Sequence, residues 1–309
     1  MAFFARGMSV ASAIVTEPLD LDRIRAALRS GAPAREALRA CLDLGRWDAL
    51  PGELRELVAA SVERATGLRC TGIRACASAD QRREVAFFAG GGDFELALIP
   101  GGTARLGWDR QRPLGITAAQ RDAWRAGRAK LNYPVEEIED LLARELTPRR
   151  RVKFRPFLCE TTVQPAERFS GDVDPDEVTE TLARDGYRLP TSNQWEYACS
   201  AGSRQLFRWG DAWPDGSSYQ VRATFGGHRE VNVFGLRFLD DSYQAELCRE
   251  PDVARGGDGG SIVCGGLPDL ETWTTFASAY AFGGVGRDWD DVGILREAGT
   301  AFVRRVRPL

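Results

Sequence analysis

The sequence contains one histidine, two methionines and two lysines among 41 basic residues. His228 alone cannot serve a mechanism that needs two or three imidazoles, including the three-histidine and two-histidine-one-carboxylate iron sites. No run approaches the roughly 18 apolar residues of a membrane-spanning helix. The formal net charge of −3 argues against a protein that binds nucleic acid by bulk electrostatic attraction. We therefore expect neither membrane insertion nor such nucleic-acid binding.

The cysteines also lack a pattern. None of the seven belongs to a C-x-x-C pair, which argues against a structural zinc site. An odd, unclustered set is typical of free thiols in a reducing compartment. We expect a cytoplasmic protein with unpaired thiols at Cys41, Cys70, Cys76, Cys159, Cys199, Cys248 and Cys264.

The length of 309 residues, with 43% hydrophobic and 28% charged residues, is typical of a soluble chain of one large or two modest domains. We expect a flexible N-terminus over 1–18, a helical unit over 19–67 and a main domain over 68–309. Residues 116–148 return to helical periodicity. They predict a helical insertion in the main domain.

The helical unit is predicted from stop and start signals. Asp20 can cap a first helix that Gly31 ends, Pro33 suits the first position of a second, and Pro51 opens a third that ends at Gly67. Three short helices form a marginal core by themselves. We expect them to pack on the rest of the chain or on a partner protein.

Several later elements follow from local patterns. Residues 84–88 and 94–99 are strand-like around a Gly90-Gly91-Gly92 turn. Thr117 with Gln120, and Thr191 with Gln194, form capping boxes at helix starts, and Asp174 is the predicted cap of another helix. The triple-arginine run 149–151 has two interpretations, a phosphate-binding site or a solvated linker. The negative net charge of the whole chain favours the linker.

From about residue 93 to 306, the chain contains a series of short motifs whose order and spacing match those of a known family. It resembles the formylglycine-generating enzyme, or sulfatase-modifying factor, family. The strand 94–99 leads into Pro100-Gly101-Gly102, and the later motifs are Phe157–Val163, Arg188-Leu189-Pro190-Thr191, Trp195-Glu196-Tyr197-Ala198, Arg208–Asp211, Asn232–Leu236, Gly259-Gly260-Ser261 and Ala301-Phe302. The resemblance implies an α+β fold of C-type-lectin-like type, with little regular structure.

The resemblance also implies a chemistry. The family oxidises a substrate cysteine with copper held by two thiolates that follow the Gly-Gly-Ser motif five residues apart, and soft thiolates suit Cu(I). Here Cys264 occupies the first position and Asp269 the second. We therefore expect no catalytic residue and no cofactor, with Cys264 and Asp269 as the fallback catalytic pair. Copper and calcium are implied by the resemblance alone.

The sequence departs from two metal sites found in proteins that it resembles. Relatives of the ergothioneine sulfoxide-synthase type bind iron through three histidines, which this chain does not have. The family's calcium-binding segment is altered, although Asp240, Asp241 and Glu246 remain as weak candidates for a hard cation. The alternative interpretation, solvated loop charges, is favoured.

The C-terminal segment that follows the Gly-Gly-Ser motif is rich in aromatic, small polar and acidic residues. Such a composition is typical of a binding surface. We expect it to bind a protein or other macromolecule through Trp273, Phe276, Tyr280, Phe282, Asp288, Trp289, Asp290 and Asp291. The variable proteins of diversity-generating retroelements share this fold and use the same region. The alternative is that these aromatics are core.

Two functions remain open. The favoured one is a non-catalytic binding module, in which the N-terminal helices could contact a partner. The other is a Cys264-dependent oxidoreductase of the formylglycine-generating type with an altered metal site. His228 is interpreted either as a general base or, preferably, as a surface-loop residue.

Overall fold

The computed structural model describes residues 21–30, 38, 41–78, 81–134, 136–283 and 291–309. The α-helices in these ranges are α1 (Leu21–Ser30), α2 (Leu44–Ala49), α3 (Gly52–Thr66), α4 (Ala118–Lys130), α5 (Ile138–Glu145), α6 (Pro175–Arg184), α7 (Ser192–Ser200), α8 (Ser218–Val221), α9 (Ser261–Cys264) and α10 (Asp291–Glu297). Short 3₁₀ helices cover Ala166–Arg168, Gly227–Arg229 and Glu271–Phe276. None of the described helices is long and apolar enough to cross a bilayer.

The strands form three small sheets. They are β1 (Cys70–Ser78), β2 (Gln81–Ala89), β3 (Glu95–Ile99), β4 (Gly102–Leu106), β5 (Arg150–Phe154), β6 (Phe157–Glu160), β7 (Gln164–Pro165), β8 (Ala245–Leu247), β9 (Val253–Arg255), β10 (Phe282–Gly283), β11 (Ala301–Val303) and β12 (Val306–Pro308). The first sheet has the order β1-β2-β3-β6-β12, the second β10-β9-β8-β11-β7, and β4 pairs with β5 alone. With its helices, this makes the chain α+β.

The first sheet is antiparallel throughout. Its register places Phe88 opposite Leu96 across the predicted glycine turn. In the second sheet, β11 runs parallel to β8, whereas the other pairs are antiparallel. Strand β11 ends at Val303 and β12 of the first sheet begins at Val306, so a segment of two residues joins the two sheets.

The N-terminal helices pack on the first sheet. Leu28 of α1 and Leu54 and Val58 of α3 belong to the same buried cluster as Phe88 and Leu96. Burial of these side chains is the main favourable contribution to docking the helices. Of the two expected locations, the structure shows packing on the rest of the chain.

Helix starts were predicted best because their signals are local. Both capping boxes are present, at Thr117 with Gln120 and at Thr191 with Gln194. Asp174 caps α6 by accepting two backbone N–H groups, and Gly67 ends α3 in the left-handed conformation. The predicted flexible N-terminus, and most of the predicted helix after Pro33, lie outside the described residues.

Other elements differ from the sequence expectations. Strand β1 was not predicted, because its half-exposed Ala, Gly and Ser residues lack alternation, and α2 is too short for a period. Residues 116–148 contain two helices, and between them Asn132 adopts a φ of +57°. Residues 150–160 form two strands, β5 and β6, separated by Arg155 and Pro156.

Candidate functional site

The turn before Cys264 is organised by a buried carboxylate. Asp258 is 1% exposed and accepts the backbone N–H groups of Gly260 and Ile262, each at 2.9 Å. Gly260 has a φ of +82°, and a Cβ there would lie 2.2 Å from the ring of Tyr243, so this position requires glycine. Burial raises the pKa of Asp258 to about 6. Helix α9 begins directly after this turn, and Cys264 is the last residue of the helix.

Cys264 is exposed, and its thiol contacts a phenol. The Sγ atom lies 3.1 Å from the hydroxyl oxygen of Tyr243, and either group could donate the hydrogen bond. The contact with Cys264 raises the pKa of Tyr243 to about 12, so the phenol is neutral at physiological pH. Sequence analysis did not single out Tyr243, because nothing near it in the sequence marks it as a neighbour of Cys264.

A small, partly exposed patch surrounds this contact. Tyr219 of α8 is 57% exposed, and the Arg222 guanidinium lies 5.4 Å from the centre of its ring. Arg222 also forms an ion pair of 2.5 Å with Asp241, whose other oxygen accepts the backbone N–H of Tyr243. We call Tyr219, Arg222, Asp241, Tyr243 and Cys264 the Cys264 patch.

The three acids proposed as cation ligands do not converge. Asp240 pairs with Arg229 at 2.8 Å, and Asp241 pairs with Arg222. Glu246 is fully buried and forms two hydrogen bonds with Arg304, at 2.7 and 2.8 Å. These weak candidates for a hard cation therefore do not form a shared site, because each carboxylate is neutralised by its own arginine. The preferred interpretation as solvated loop charges fails for Glu246.

A second buried carboxylate joins distant parts of the chain. Glu196 of α7 pairs with Arg150 at 2.7 Å and with Arg255 at 3.1 Å. It also accepts hydrogen bonds from the Thr147 hydroxyl and the backbone N–H of Gly107. Buried charges require such partners. The motif Trp195-Glu196-Tyr197 marks this position in the sequence, but the motif alone does not show that Glu196 is paired with two arginines.

The expected aromatic binding surface is core instead. Trp273 is 0% exposed, and Phe276, Tyr280 and Phe282 are buried. The Trp273 indole donates to the carbonyl of Gly216 at 2.8 Å, so its polar edge finds a partner inside the protein. The prediction that these four aromatics form an exposed surface is therefore wrong. Asp288, Trp289 and Asp290 lie outside the described residues, as does the side chain of Asp291.

The fold draws these aromatics inward through the 3₁₀ helix Glu271–Phe276. Its first residue, Glu271, is buried, pairs with Arg128 and accepts the indole N–H of Trp124 at 3.1 Å. Both partners lie on α4. Glu271 thus holds the start of this 3₁₀ helix against α4. The spacing of residues along the sequence does not indicate such a contact.

His228 is buried in an aromatic cluster. Its ring stacks on Phe225, with centroids 5.8 Å apart, and Trp273 and Phe276 meet it at 5.9 Å. Burial, with the nearby charge of Arg208, lowers the pKa of His228 to about 4. The interpretation as a surface-loop residue is wrong. A side chain without exposed surface also cannot reach a substrate as a general base.

Comparison with known proteins places the central part of this architecture in a family. Residues 118–244 match the family described as the sulfatase-modifying factor enzyme 1-like domain. Over these residues the chain is similar to that family. No curated protein matches the chain.

The matched region of the sulfatase-modifying-factor-like domain runs from the first residue of α4 to the residue after Tyr243. It includes Glu196, His228, Asp240 and Asp241. Cys264, Asp269 and the Gly-Gly-Ser motif follow it. The family assignment therefore rests on the scaffold beside Cys264, and the chemistry at Cys264 must be judged from its own surroundings.

Those surroundings do not fit the copper centre that the resemblance implies. Cu(I) prefers soft thiolate ligands, whereas Cys264 meets a phenol and the second thiolate position holds Asp269. Four of the other cysteines, Cys41, Cys159, Cys199 and Cys248, are buried, and burial raises the pKa of each thiol. Within the described ranges, no three His, Cys, Asp or Glu side chains form a metal-binding group.

Proposed function

We propose that this chain is a non-catalytic binding protein built on a sulfatase-modifying-factor-like domain, with residues 68–309 in a C-type-lectin-like fold. The observation that carries the proposal is the donor set at Cys264. One exposed thiol hydrogen-bonded to a neutral phenol, with a carboxylate at the second ligand position, lacks the paired soft ligands of the family's oxidation chemistry.

The binding surface in this proposal is the Cys264 patch rather than the aromatic tail. Tyr and Arg are the residue types that most often anchor protein interfaces, and Tyr219 with Arg222 are available there. The buried 3₁₀ helix Glu271–Phe276 packs beneath α8 and supports the patch. Trp273 donates to Gly216, and the Thr272 hydroxyl accepts the backbone N–H of Ser218 at 2.8 Å, so both hold α8, which carries Tyr219.

A second candidate function rests on one specific observation. Cys264 is exposed and has a hydroxyl hydrogen-bond partner, so it is open to a substrate thiol or a redox partner. This supports a Cys264-dependent oxidoreductase with an altered metal site. Residues 265–283 contain no arginine, lysine or histidine, and Arg222 of the Cys264 patch is already paired with Asp241. An unpaired cation that would favour the reactive thiolate is therefore not found among these residues.

The two functions differ in dioxygen uptake. The protein is supplied with one equivalent of Cu(I) and a panel of peptides that each contain one cysteine, and oxygen consumption is compared with that of Cys264→Ala. We expect equal rates, at the background level of Cu(I) with peptide. Faster uptake by the unmodified protein that falls to background in Cys264→Ala would establish the oxidoreductase.

A further inference from the structure

The two-stranded sheet β4–β5 carries an unusual solvent face. Its register places Arg105 opposite Arg151 and Thr103 opposite Lys153. These four side chains are exposed, whereas the alternate residues Leu106 and Phe154 are buried in the core. We call Thr103, Arg105, Arg151 and Lys153 the ribbon face. Arg155, also exposed, follows β5 directly.

The cations of the ribbon face have no acidic partner in the part of the chain that the structure describes. The two arginines that precede Arg151 do form ion pairs. Arg149 pairs with Asp109 at 3.1 Å, and Arg150 pairs with Glu196 at 2.7 Å. Residues 102–106 and 149–155 contain no aspartate or glutamate. The triple-arginine run thus divides into two structural arginines and one, Arg151, that faces solvent unpaired.

This arrangement opposes stability. Like charges directly opposite each other on neighbouring strands are destabilising, and Arg105 faces Arg151 across the ribbon. The whole chain has a net charge of −3, so a run of unpaired cations is a local departure from the overall balance. An anionic ligand would relieve the repulsion between these side chains.

We propose that the ribbon face binds an extended acidic segment of a partner protein. Alternate residues of a strand recur about every 6.8 Å, so an extended peptide with acids at every second residue repeats at the same interval as Arg151 and Lys153. This surface shares no residue with the Cys264 patch. The inference therefore goes beyond the function proposed above and would hold whether or not Cys264 is catalytic.

A nucleic acid fits the ribbon face less well. Proteins that bind single strands stack bases on aromatic side chains. The large exposed hydrophobic residues of the described ranges are Leu131, Tyr133 and Tyr219, and none belongs to the ribbon. A duplex, with one charge per about 1.7 Å of axis, would also meet the field of a net acidic protein. A short acidic peptide is small enough to contact only the cations of the ribbon face.

The test uses fluorescence anisotropy with a labelled eight-residue peptide in which four glutamates alternate with four threonines. A second peptide has the same composition, with its glutamates in one block. The variant Arg151→Gln/Lys153→Gln removes two ribbon charges. The matched control, Arg69→Gln/Arg82→Gln, removes two charges from exposed arginines elsewhere.

We expect the unmodified protein to bind the alternating peptide more tightly than the block peptide, and to bind it less tightly as salt rises. Arg151→Gln/Lys153→Gln should weaken binding about tenfold, since each exposed ion pair contributes modestly, whereas the control changes it less than twofold. The ribbon variant should also show an equal or higher melting temperature, because it relieves the repulsion between Arg105 and Arg151.

Three results would overturn the proposal. The first is no binding of the alternating peptide in dilute buffer, and the second is equal loss in the ribbon and control variants. The third is tighter binding of a labelled single-stranded or duplex oligonucleotide that the ribbon variant abolishes, which would make nucleic acid the ligand. Cys264→Ala is expected to leave peptide binding unchanged, so the outcome is independent of the proposed function.

Discussion

The buried glutamates in the described part of this protein are paired with arginines, and this decides what these single residues can do. Glu246 pairs with Arg304, and Glu160 pairs with Arg305, with both carboxylates fully buried. Arg304 also donates to the carbonyls of Glu160 and Arg237. The network connects β6, β8 and the segment between β11 and β12, so Glu246 is a structural residue rather than a cation ligand.

Loss of the Glu246 charge is expected to destabilise the fold. Glu246→Gln keeps the shape but leaves Arg304 as an uncompensated buried charge, which should lower the free energy of unfolding by about 3 kcal/mol. Asp240→Asn, at an exposed pair with Arg229, should change it by less than about 1 kcal/mol. Urea unfolding measures both. Equal effects of the two substitutions would show that the buried pair is not structural.

The buried imidazole predicts a pH dependence of stability. The pKa of His228 is lowered from 6.5 to about 4 in the folded protein, so only the unfolded state gains a proton between these values. Stability from His228 is therefore present above pH 6.5 and is lost as the pH falls towards 4. Asp258 acts oppositely, because its raised pKa of about 6 makes its contribution fall as the pH rises from 3.8.

Comparison with a variant isolates the histidine from Asp258. The difference in unfolding free energy between the unmodified protein and His228→Phe should shift by about 2–3 kcal/mol against the unmodified protein between pH 7.5 and pH 4.5. Chemical denaturation at several pH values measures it. A difference that does not vary with pH would mean that His228 can be protonated in the folded state.

At the scale of elements, the segment Glu271–Phe276 is buried, although the sequence predicted an exposed binding surface there. Trp273→Ala should lower the free energy of unfolding by about 3–5 kcal/mol, because it removes a fully buried indole and leaves the Gly216 carbonyl without its donor. Tyr219→Ala, at an exposed position, should change it by less than about 0.5 kcal/mol. Thermal unfolding compares them. An unchanged melting temperature for Trp273→Ala would restore this segment as a candidate surface.

Local signals made some elements predictable and not others. Thr117, Asp174 and Thr191 were identified as caps because the cap and the group it bonds lie within three residues. Trp273 was misplaced because its burial depends on a contact with Gly216, and Tyr280 because it pairs with Leu146 and Arg255; all three partners lie far away in the sequence. Aromatic and small polar composition suits both a binding surface and a packed interior. The sequence pattern therefore could not distinguish them.

The candidate site shows the same division. The position of Cys264 after the glycine turn followed from the family resemblance, and the structure shows its thiol exposed. Tyr243 could not be predicted as its partner, since the contact depends on how two loops approach each other. The acids Asp240 and Asp241 were noticed as ligands, whereas their arginine partners, Arg229 and Arg222, precede them by 11 and 19 residues.

At the scale of the whole molecule, a family scaffold is combined with altered surfaces. The matched residues 118–244 contain Glu196, whose ion pairs with Arg150 and Arg255 connect α7 to β5 and β9. The residues beside this scaffold set the chemistry: a lone exposed thiol at Cys264 and an unpaired basic face on β4–β5. In our proposal, a region similar to the family is present without the family's paired thiolates.

Cu(I) affinity tests this account most directly. The protein competes with a Cu(I) chelator of known affinity, in parallel with Cys264→Ala and Asp269→Cys. We predict weak binding that Cys264→Ala does not change, and a gain of Cu(I) affinity in Asp269→Cys, because a second soft ligand then follows Cys264. Tight binding of one Cu(I) by the unmodified protein, abolished by Cys264→Ala, would contradict the account.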